Sequence, residues 1–378
     1  MKTHVREKKL MPAGSLRHVA TFFLLLFLVA CSRPPELVGV DNPSRPVDTL
    51  ANANKKKVYI ATTRQASEAT GVFFSGERAP DLAFASVVVS VPHGHVTGKV
   101  ERPAFLPPQP ESEFAIVDPT LYETSSVFVS SLNRALAELP PKDRHILLFV
   151  HGYNNTISDS LLRISQFVED TGFSGVPVLF SWASAAKTTH YVYDLNSALV
   201  ARPRLLETAR VLSQTNARGF DLMAHSMGAF LTMEAIVQAN IAGTYNKSGR
   251  LQNVLLAAPD IDVDLFRSQL SQMPKSKVHF YVLVSDTDSA LGFSERISGG
   301  IEKVGSTNAD RLSGLGVNVI DISRIDDVGS GAHSKFSESA EIVQLIGRSL
   351  QLGHLEERPQ TALGEMLSGA AIVMVRPE

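Results

Sequence analysis

Five residues, Ala224-His225-Ser226-Met227-Gly228, stand between an apolar run that ends at Ala224 and a helical pattern that opens at Met227. A serine at such a junction has the layout of a nucleophile elbow, a tight strand-to-helix turn that holds the hydroxyl above the carboxyl edge of a sheet. Small residues two before and two after let strand and helix pass closely, and here Ala224 stands where glycine is usual. The free N–H groups of the helix start favour negative charge beside the hydroxyl. The bland alternative is a serine that only caps a helix. The chemistry that suits Ser226 is attack on an acyl carbon, which also needs N–H donors aimed at the oxyanion. The Met227 amide is one such donor. The loop His151-Gly152-Tyr153-Asn154-Asn155, after a run ending at Val150, offers the Tyr153 amide as the second.

A serine on this kind of elbow works with an acid and then a histidine further along the chain. The run Val278 to Val284 leads into Ser285-Asp286-Thr287-Asp288, and the run Val317 to Ile322 leads through a polar loop to Gly331-Ala332-His333. His333 is the expected base and Asp288 the expected acid that orients it, a general-base arrangement. Asp286 and the cluster Asp260, Asp262, Asp264 are the alternatives for the acid, and the cluster equally suits capping of a helix at Leu265-Phe266. His151, just before a glycine, reads as a brace of its loop rather than as the base, and His225 as packing beneath the elbow. His93 and His95 imitate a metal pair, but no third ligand stands out, so neither metal nor organic cofactor is expected.

The elements that must position these groups follow from the apolar pattern. Strands are predicted at Val58-Tyr59-Ile60, Phe84 to Val91, His145 to Val150, Val178 to Phe180, Phe220 to Ala224, Asn253 to Ala257, Val278 to Val284 and Val317 to Ile322. Helices are predicted at Thr124 to Leu139, Ile157 to Val168, Pro203 to Leu212, Met227 to Val237 and Phe336 to Leu350, with Pro203 in a first helical turn. Strand and helix alternating in this way imply right-handed crossovers and a mostly parallel central sheet with helices on both faces.

With these motifs the chain resembles a group of bacterial α/β-hydrolase-fold proteins of unknown function, often exported, from about Val58 to Leu350. The likeness rests on His-Gly-Tyr-Asn at 151–154 and Ala-His-Ser-Met-Gly at 224–228, and extends to Thr62-Thr63-Arg64, Phe180-Ser181-Trp182-Ala183-Ser184, Tyr193-Asp194, Ser197-Ala198, Asp260 to Asp264 and Asp288-Ser289-Ala290-Leu291. Ala183 stands where the group usually has proline, and Ala332 separates His333 from Gly331. The resemblance implies the α/β-hydrolase fold and a serine triad of Ser226, Asp288 and His333, but names no substrate. Trp182, Tyr191 and Tyr193 are candidates to line the pocket or simply to pack. No long apolar lid is evident between Ser181 and Phe220, so the expected substrate is a small or medium acyl ester. A non-catalytic binding protein on the same fold and an acyltransferase are the rival functions.

The ends of the chain carry an address. Residues 1–30 read as a signal peptide, with Lys2, Arg6, Lys8, Lys9 and Arg17 ahead of an apolar run from Val19 to Ala30 that is too short to span a bilayer. Translation from Met11 would keep the whole run. Leu28-Val29-Ala30-Cys31 resembles the lipobox of bacterial lipoproteins, which implies diacylglycerol on Cys31, the sole cysteine of 378 residues. Ser32 after it leans toward the periplasmic face of the outer membrane. Residues 31–56 read as a flexible tether able to span about 80 Å, 57–350 as the hydrolase domain and 351–378 as a weakly patterned tail. Composition is that of a globular chain, 44% hydrophobic and 20% charged. A formal charge of −2 without a basic block excludes a phosphate-binding surface, so nucleic acid is not an expected partner.

Overall fold

The apolar runs His145–Val150, Val176–Ser181 and His279–Val284 are buried on both sides, which only a sheet covered on two faces can accommodate. In the computed structural model, which describes residues 33–51, 54–274, 277–324, 332–352 and 373–375, the strands form one ten-stranded sheet. They are β1 (Asn54–Ala66), β2 (Phe74–Val91), β3 (Ala115–Tyr122), β4 (His145–Val150), β5 (Val176–Ser181), β6 (Gly219–His225), β7 (Leu251–Ala257), β8 (His279–Val284), β9 (Asn318–Asp321) and β10 (Val373–Val375). The order across the sheet is β10-β9-β8-β7-β6-β4-β5-β1-β2-β3. The seven strands from β9 to β1 are parallel, while β2, β3 and β10 extend the sheet by antiparallel pairing at its two ends. This is the mostly parallel α/β-hydrolase fold expected from the sequence.

The helices are α1 (Ser125–Glu138), α2 (Ile157–Thr171), α3 (Tyr191–Leu212), α4 (Met227–Ile241), α5 (Val263–Ser271), α6 (Ser289–Ile297), α7 (Lys335–Glu338) and α8 (Ala340–Leu352). β4 shows how they share the sheet. Its Ile146, Leu148 and Val150 pack with Leu132 of α1, Leu205 of α3 and Leu231 of α4, while Leu147 and Phe149 face Leu161 and Ile164 of α2 and Ile342 of α8. Period-two alternation thus feeds two separate cores, one on each side. Parallel strands joined by helices place all the strand-to-helix loops at one rim, the carboxyl edge of the sheet, where ligands bind in such folds.

Several elements differ from expectation. Pro203 lies inside α3 rather than in a first turn. Its ring frees the Leu199 carbonyl, and because both residues are on the solvent side water can satisfy that group. The predicted last helix breaks at Ser339, whose hydroxyl accepts the Ile342 N–H and starts α8 afresh. β3 and α6 are further elements beyond those the apolar pattern predicts, while α5 is the helix at Leu265-Phe266 that the capping reading implies.

The tether also needs correction. Residues 36–50 belong to the folded body: Leu37 and Val47 are fully buried, Val38 bridges both Gly71 and Ile116, and Asn42 donates to the Pro108 carbonyl at 2.9 Å. The polar composition of this stretch hid apolar side chains spaced widely enough to pin it. Met1–Pro35 and Glu36–Glu378 are separate compact units, and the former contains only Arg33, Pro34 and Pro35 among the described residues. The signal peptide and Cys31 lie outside the described residues, as does Gly331. In the expected tail, α8 runs on to Leu352, β10 pairs with β9, and the rest lies outside the described residues. Among the described residues no helix is long and apolar enough to cross a membrane.

Candidate active site

Ser226 joins β6 to α4 with φ 53° and ψ −123°, a backbone conformation that L side chains rarely adopt. Such a residue costs on the order of 1–3 kcal/mol and persists only where its surroundings over-determine it. Three hydrogen bonds do so here. The Ser226 N–H donates to the Ala257 carbonyl at 3.0 Å, and its own carbonyl accepts from Ala229 N at 2.9 Å and Asp260 N at 3.2 Å. Tight packing explains the small neighbours. A methyl on Gly228 would lie 2.3 Å from the His151 carbonyl oxygen and 2.6 Å from that of Val150, and Ala224 is already fully buried. Gly152 passes so near that a methyl there would meet Ser226 Cβ at 3.0 Å and His225 Nδ1 at 2.9 Å. The 151–155 loop therefore runs directly beside the Ser226 side chain. The Met227 N–H belongs to the first turn of α4, whose amides have no partner within the helix.

The loop is held from behind by residues that the sequence reading left without a role. Arg64, 1% exposed, donates Nη2 to the Asn155 carbonyl at 2.7 Å, and the same nitrogen lies 3.3 Å from His151 Nε2. Its Nε donates to Ser181 Oγ at 2.8 Å and its Nη1 to the Ser184 carbonyl at 3.0 Å. His151 Nδ1 lies 2.8 Å from the Gly152 carbonyl and Nε2 3.1 Å from that of Trp182, so the uncharged ring donates to one of these two backbone oxygens. Burial, followed by the Arg64 charge, lowers His151 to a pKa of about 3, so this ring is a neutral brace. It stacks on Trp182, whose indole N–H donates to the His151 carbonyl at 2.8 Å. Trp182 is fully buried and so packs rather than lines a pocket. The buried Asp194 carboxylate accepts from Ser184 Oγ at 2.5 Å, Ala185 N at 2.7 Å and Asn154 N at 3.2 Å, joining the loop to the segment after β5. The recurrence of Thr62-Thr63-Arg64 and Tyr193-Asp194 in the resemblance was the signal that could have found both residues.

The acid and the histidine meet. His333 Nδ1 donates to Asp288 Oδ2 at 2.8 Å, and the Asp288 side chain is wholly buried while that of His333 is 23% exposed. Asp288 is also the N-cap of α6, its Oδ1 accepting from Ala290 N and Leu291 N, both at 3.0 Å. One oxygen is thus fixed by the helix and the other is left for the imidazole. With its proton on Nδ1, His333 keeps a lone pair on Nε2. The two rings of His225 and His333 lie 4.6 Å apart, and His225 Nε2–H donates to the His333 carbonyl at 3.2 Å. His333 is therefore packed on the residue next to Ser226. Burial first, then the neighbouring His333, holds His225 well below the usual histidine range, so it stays uncharged.

The alternatives go elsewhere. Asp286 is exposed, and Asp262 caps α5 by accepting from Leu265 N at 2.8 Å, as the capping reading had it. Asp264 pairs with Arg267 on the surface. Asp260 is buried in its own network, receiving Lys303 Nζ at 3.1 Å, Ser294 Oγ at 2.7 Å and Tyr191 Oη at 2.9 Å. That phenol is raised above its ordinary range by burial and then by Asp260. Tyr193 Oη donates to the Gly76 carbonyl at 3.2 Å and its ring receives Arg78, a packing position. His95 sits far away between Glu101 Oε2 at 2.7 Å and Asp170 Oδ1 at 2.8 Å, and these carboxylates overcome its burial and raise its pKa to about 9. His93 is exposed, and among the described residues no group of three or more His, Cys, Asp or Glu could hold a metal ion.

A search of curated proteins finds no match. Among solved structures, one in a study of two fungal esterases from Rhizomucor miehei is similar at 12% identity and a TM-score of 0.37, covering 88% of this chain and 96% of that one. An esterase from Pyrobaculum calidifontis is similar at 9% identity and a TM-score of 0.33, covering 61% and 93%. At that distance neither speaks to substrate. The match that decides the family spans residues 125–349, from the first residue of α1 nearly to the end of α8. By that match the chain belongs to the alpha/beta hydrolases of unknown function grouped as DUF900.

Proposed function

We propose that this protein is a serine hydrolase that cleaves a carboxylic ester through an acyl-enzyme. The observation that carries the reading is the strained Ser226 elbow, flanked on one side by the Gly152 loop and on the other by the Asp288–His333 pair packed against His225. Ser226 Oγ attacks the ester carbonyl carbon while His333 Nε2 takes the hydroxyl proton. Asp288 keeps the imidazole in the tautomer that can accept and stabilises it once charged. The amides of Met227 and Tyr153 hold the developing oxyanion. Collapse of the tetrahedral intermediate expels the alcohol, which receives the proton from His333. Water, activated by the same imidazole, then releases the acid and restores Ser226.

The substrate is a small or medium acyl ester, and the enzyme works at the cell envelope. Diacylglycerol on Cys31 anchors it there, at the periplasmic face of the outer membrane. A series of p-nitrophenyl esters from acetyl to palmitoyl tests this reading. The purified protein turns over the shorter members and Ser226→Ala does not. Equal turnover by the variant, or none by the wild type across the whole series, refutes it.

A further inference from the structure

The folded body begins beside the site. Leu37 N donates to Ser158 Oγ at 3.0 Å, and Ser158 lies in the first turn of α2, immediately after the loop that carries Gly152. The chain therefore joins the body at the carboxyl edge of the sheet, the edge that also carries Ser226, 3% exposed. Only five residues lie between Cys31 and Leu37, a reach of about 20 Å when fully extended. A lipid on Cys31 would hold that same edge near the membrane.

The surface presented at this edge is apolar. The excursion from Ser285 to Gly305 leaves β8 and returns to the sheet, with Ser285 N donating to the Gly305 carbonyl at 2.8 Å and Gly305 N to the Pro259 carbonyl at 2.9 Å. α6 thus stays above the carboxyl edge, starting at Asp288 itself. Its inner side buries Leu291 and Ser294, and Ser294 Oγ meets Tyr191 Oη at 2.9 Å, which fixes the start of α3 beside it. On the outer side Phe293 is 50% exposed, Ile297 47% and Ile301 42%, and Val192 next to Tyr191 is 68% exposed. Residues 293 and 297 share one helix face. The exposed positions from 289 to 301 include no carboxylate, and the one charged side chain among them is Arg296. Apolar side chains with a cation among them suit an anionic lipid surface, while of the flanking carboxylates Glu302 is paired with Arg311 and Asp286 lies ahead of α6.

We propose that the outer face of α6, with Ile301 and Val192, docks on the lipid bilayer, so that the enzyme takes its ester from the lipid–water interface. The proposal rests on the lipidation of Cys31 and on the hydrolase reading of Ser226. The bilayer is the occupant because a lipid on Cys31 keeps this edge within reach of it, and because α6 starts at Asp288 of the proposed triad, so docking brings the site to the substrate's own phase.

The test uses the full chain carrying its lipid, bound to vesicles of phosphatidylglycerol and phosphatidylethanolamine with brominated acyl chains. An environment-sensitive fluorophore is placed on Phe293→Cys or on Ile241→Cys. Ile241 is also exposed but ends α4, at the opposite edge of the sheet. Quenching by bromine is about threefold stronger or more at position 293 than at 241, as insertion of a few ångströms demands; equal quenching overturns the proposal. A chain whose mass lacks diacylglycerol at Cys31 overturns it as well. This readout does not depend on catalysis. In parallel, Ile297→Glu slows hydrolysis of an ester embedded in vesicles by about tenfold and leaves soluble p-nitrophenyl butyrate unchanged. Equal effects on both esters count against docking. A wild type inactive on both refutes the hydrolase reading alone, and the quenching result then decides docking by itself.

Discussion

Replacing Asp288 with asparagine separates the chemistry of the site from its architecture. Oδ1 of Asp288 accepts two α6 amides at 3.0 Å, and Oδ2 accepts His333 Nδ1–H at 2.8 Å. Asparagine has one acceptor and one donor in the same shape. If its oxygen stays on the helix, its NH2 faces His333 Nδ1, which must then accept. The imidazole proton moves to Nε2, and the lone pair that should take the Ser226 proton is gone. A wrong tautomer of this kind lowers kcat by about 10⁴, equivalent to about 5 kcal/mol of transition-state stabilisation. The fold changes little, because asparagine caps a helix about as well as aspartate; the expected loss of stability is below about 1 kcal/mol. The assay is kcat on p-nitrophenyl butyrate beside a thermal melt of the same preparation. An Asp288→Asn enzyme within tenfold of wild type would refute the assigned role. A rate loss accompanied by a large fall in Tm would mean that the carboxylate matters only as a structural group.

Three further perturbations test the surrounding structure. Gly228→Ala pushes a methyl to within 2.3 Å of a backbone oxygen, so it should destabilise the protein by about 2 kcal/mol or more and depress activity even where it folds, as melts and kcat will show. Arg64→Met removes several buried donors from the Gly152 loop and should cost about 3 kcal/mol by urea unfolding, with a fall in kcat. Asp221 lies 3% exposed within β6, where burial raises its pKa to about 6 despite a 2.6 Å hydrogen bond from Asn253 Nδ2. A raised folded pKa means that its protonated form stabilises the fold fully below about pH 4, the unfolded value, and that this contribution is lost as pH rises through 6. Asp221→Asn should therefore gain about 2–3 kcal/mol over wild type at pH 8 and little at pH 4, helped by a donor that can reach the otherwise unpartnered Asn253 Oδ1. Parallel unfolding curves for the two proteins would contradict it.

What the chain discloses by itself follows the range of the interaction. Ser226 and Gly228 are legible because an elbow imposes its small residues within a few positions of the serine. Strands such as β4 are legible because a two-faced sheet forces a continuous apolar run. Asp288 and Asp286 are indistinguishable by local pattern, since the choice is made by α6, whose amides turn one carboxylate inward and leave the other in water. The roles of Arg64 and Asp194 appear only in the fold, because Arg64 reaches Asn155 and Asp194 reaches Asn154 across loops whose proximity the sheet order creates. Residues 36–50 escape a compositional reading for the opposite reason: a few buried side chains, Leu37 and Val47 among them, outweigh a polar majority.

The central claim is that Ser226 is an activated nucleophile, and a fluorophosphonate reports on that directly. Incubation of the intact protein with the probe, followed by mass mapping of the peptides, should place one phosphonyl group on Ser226, with no adduct in Ser226→Ala and strongly slowed labelling in His333→Ala. An unmodified Ser226 in the folded wild-type protein, or labelling that survives either substitution undiminished, would contradict the account.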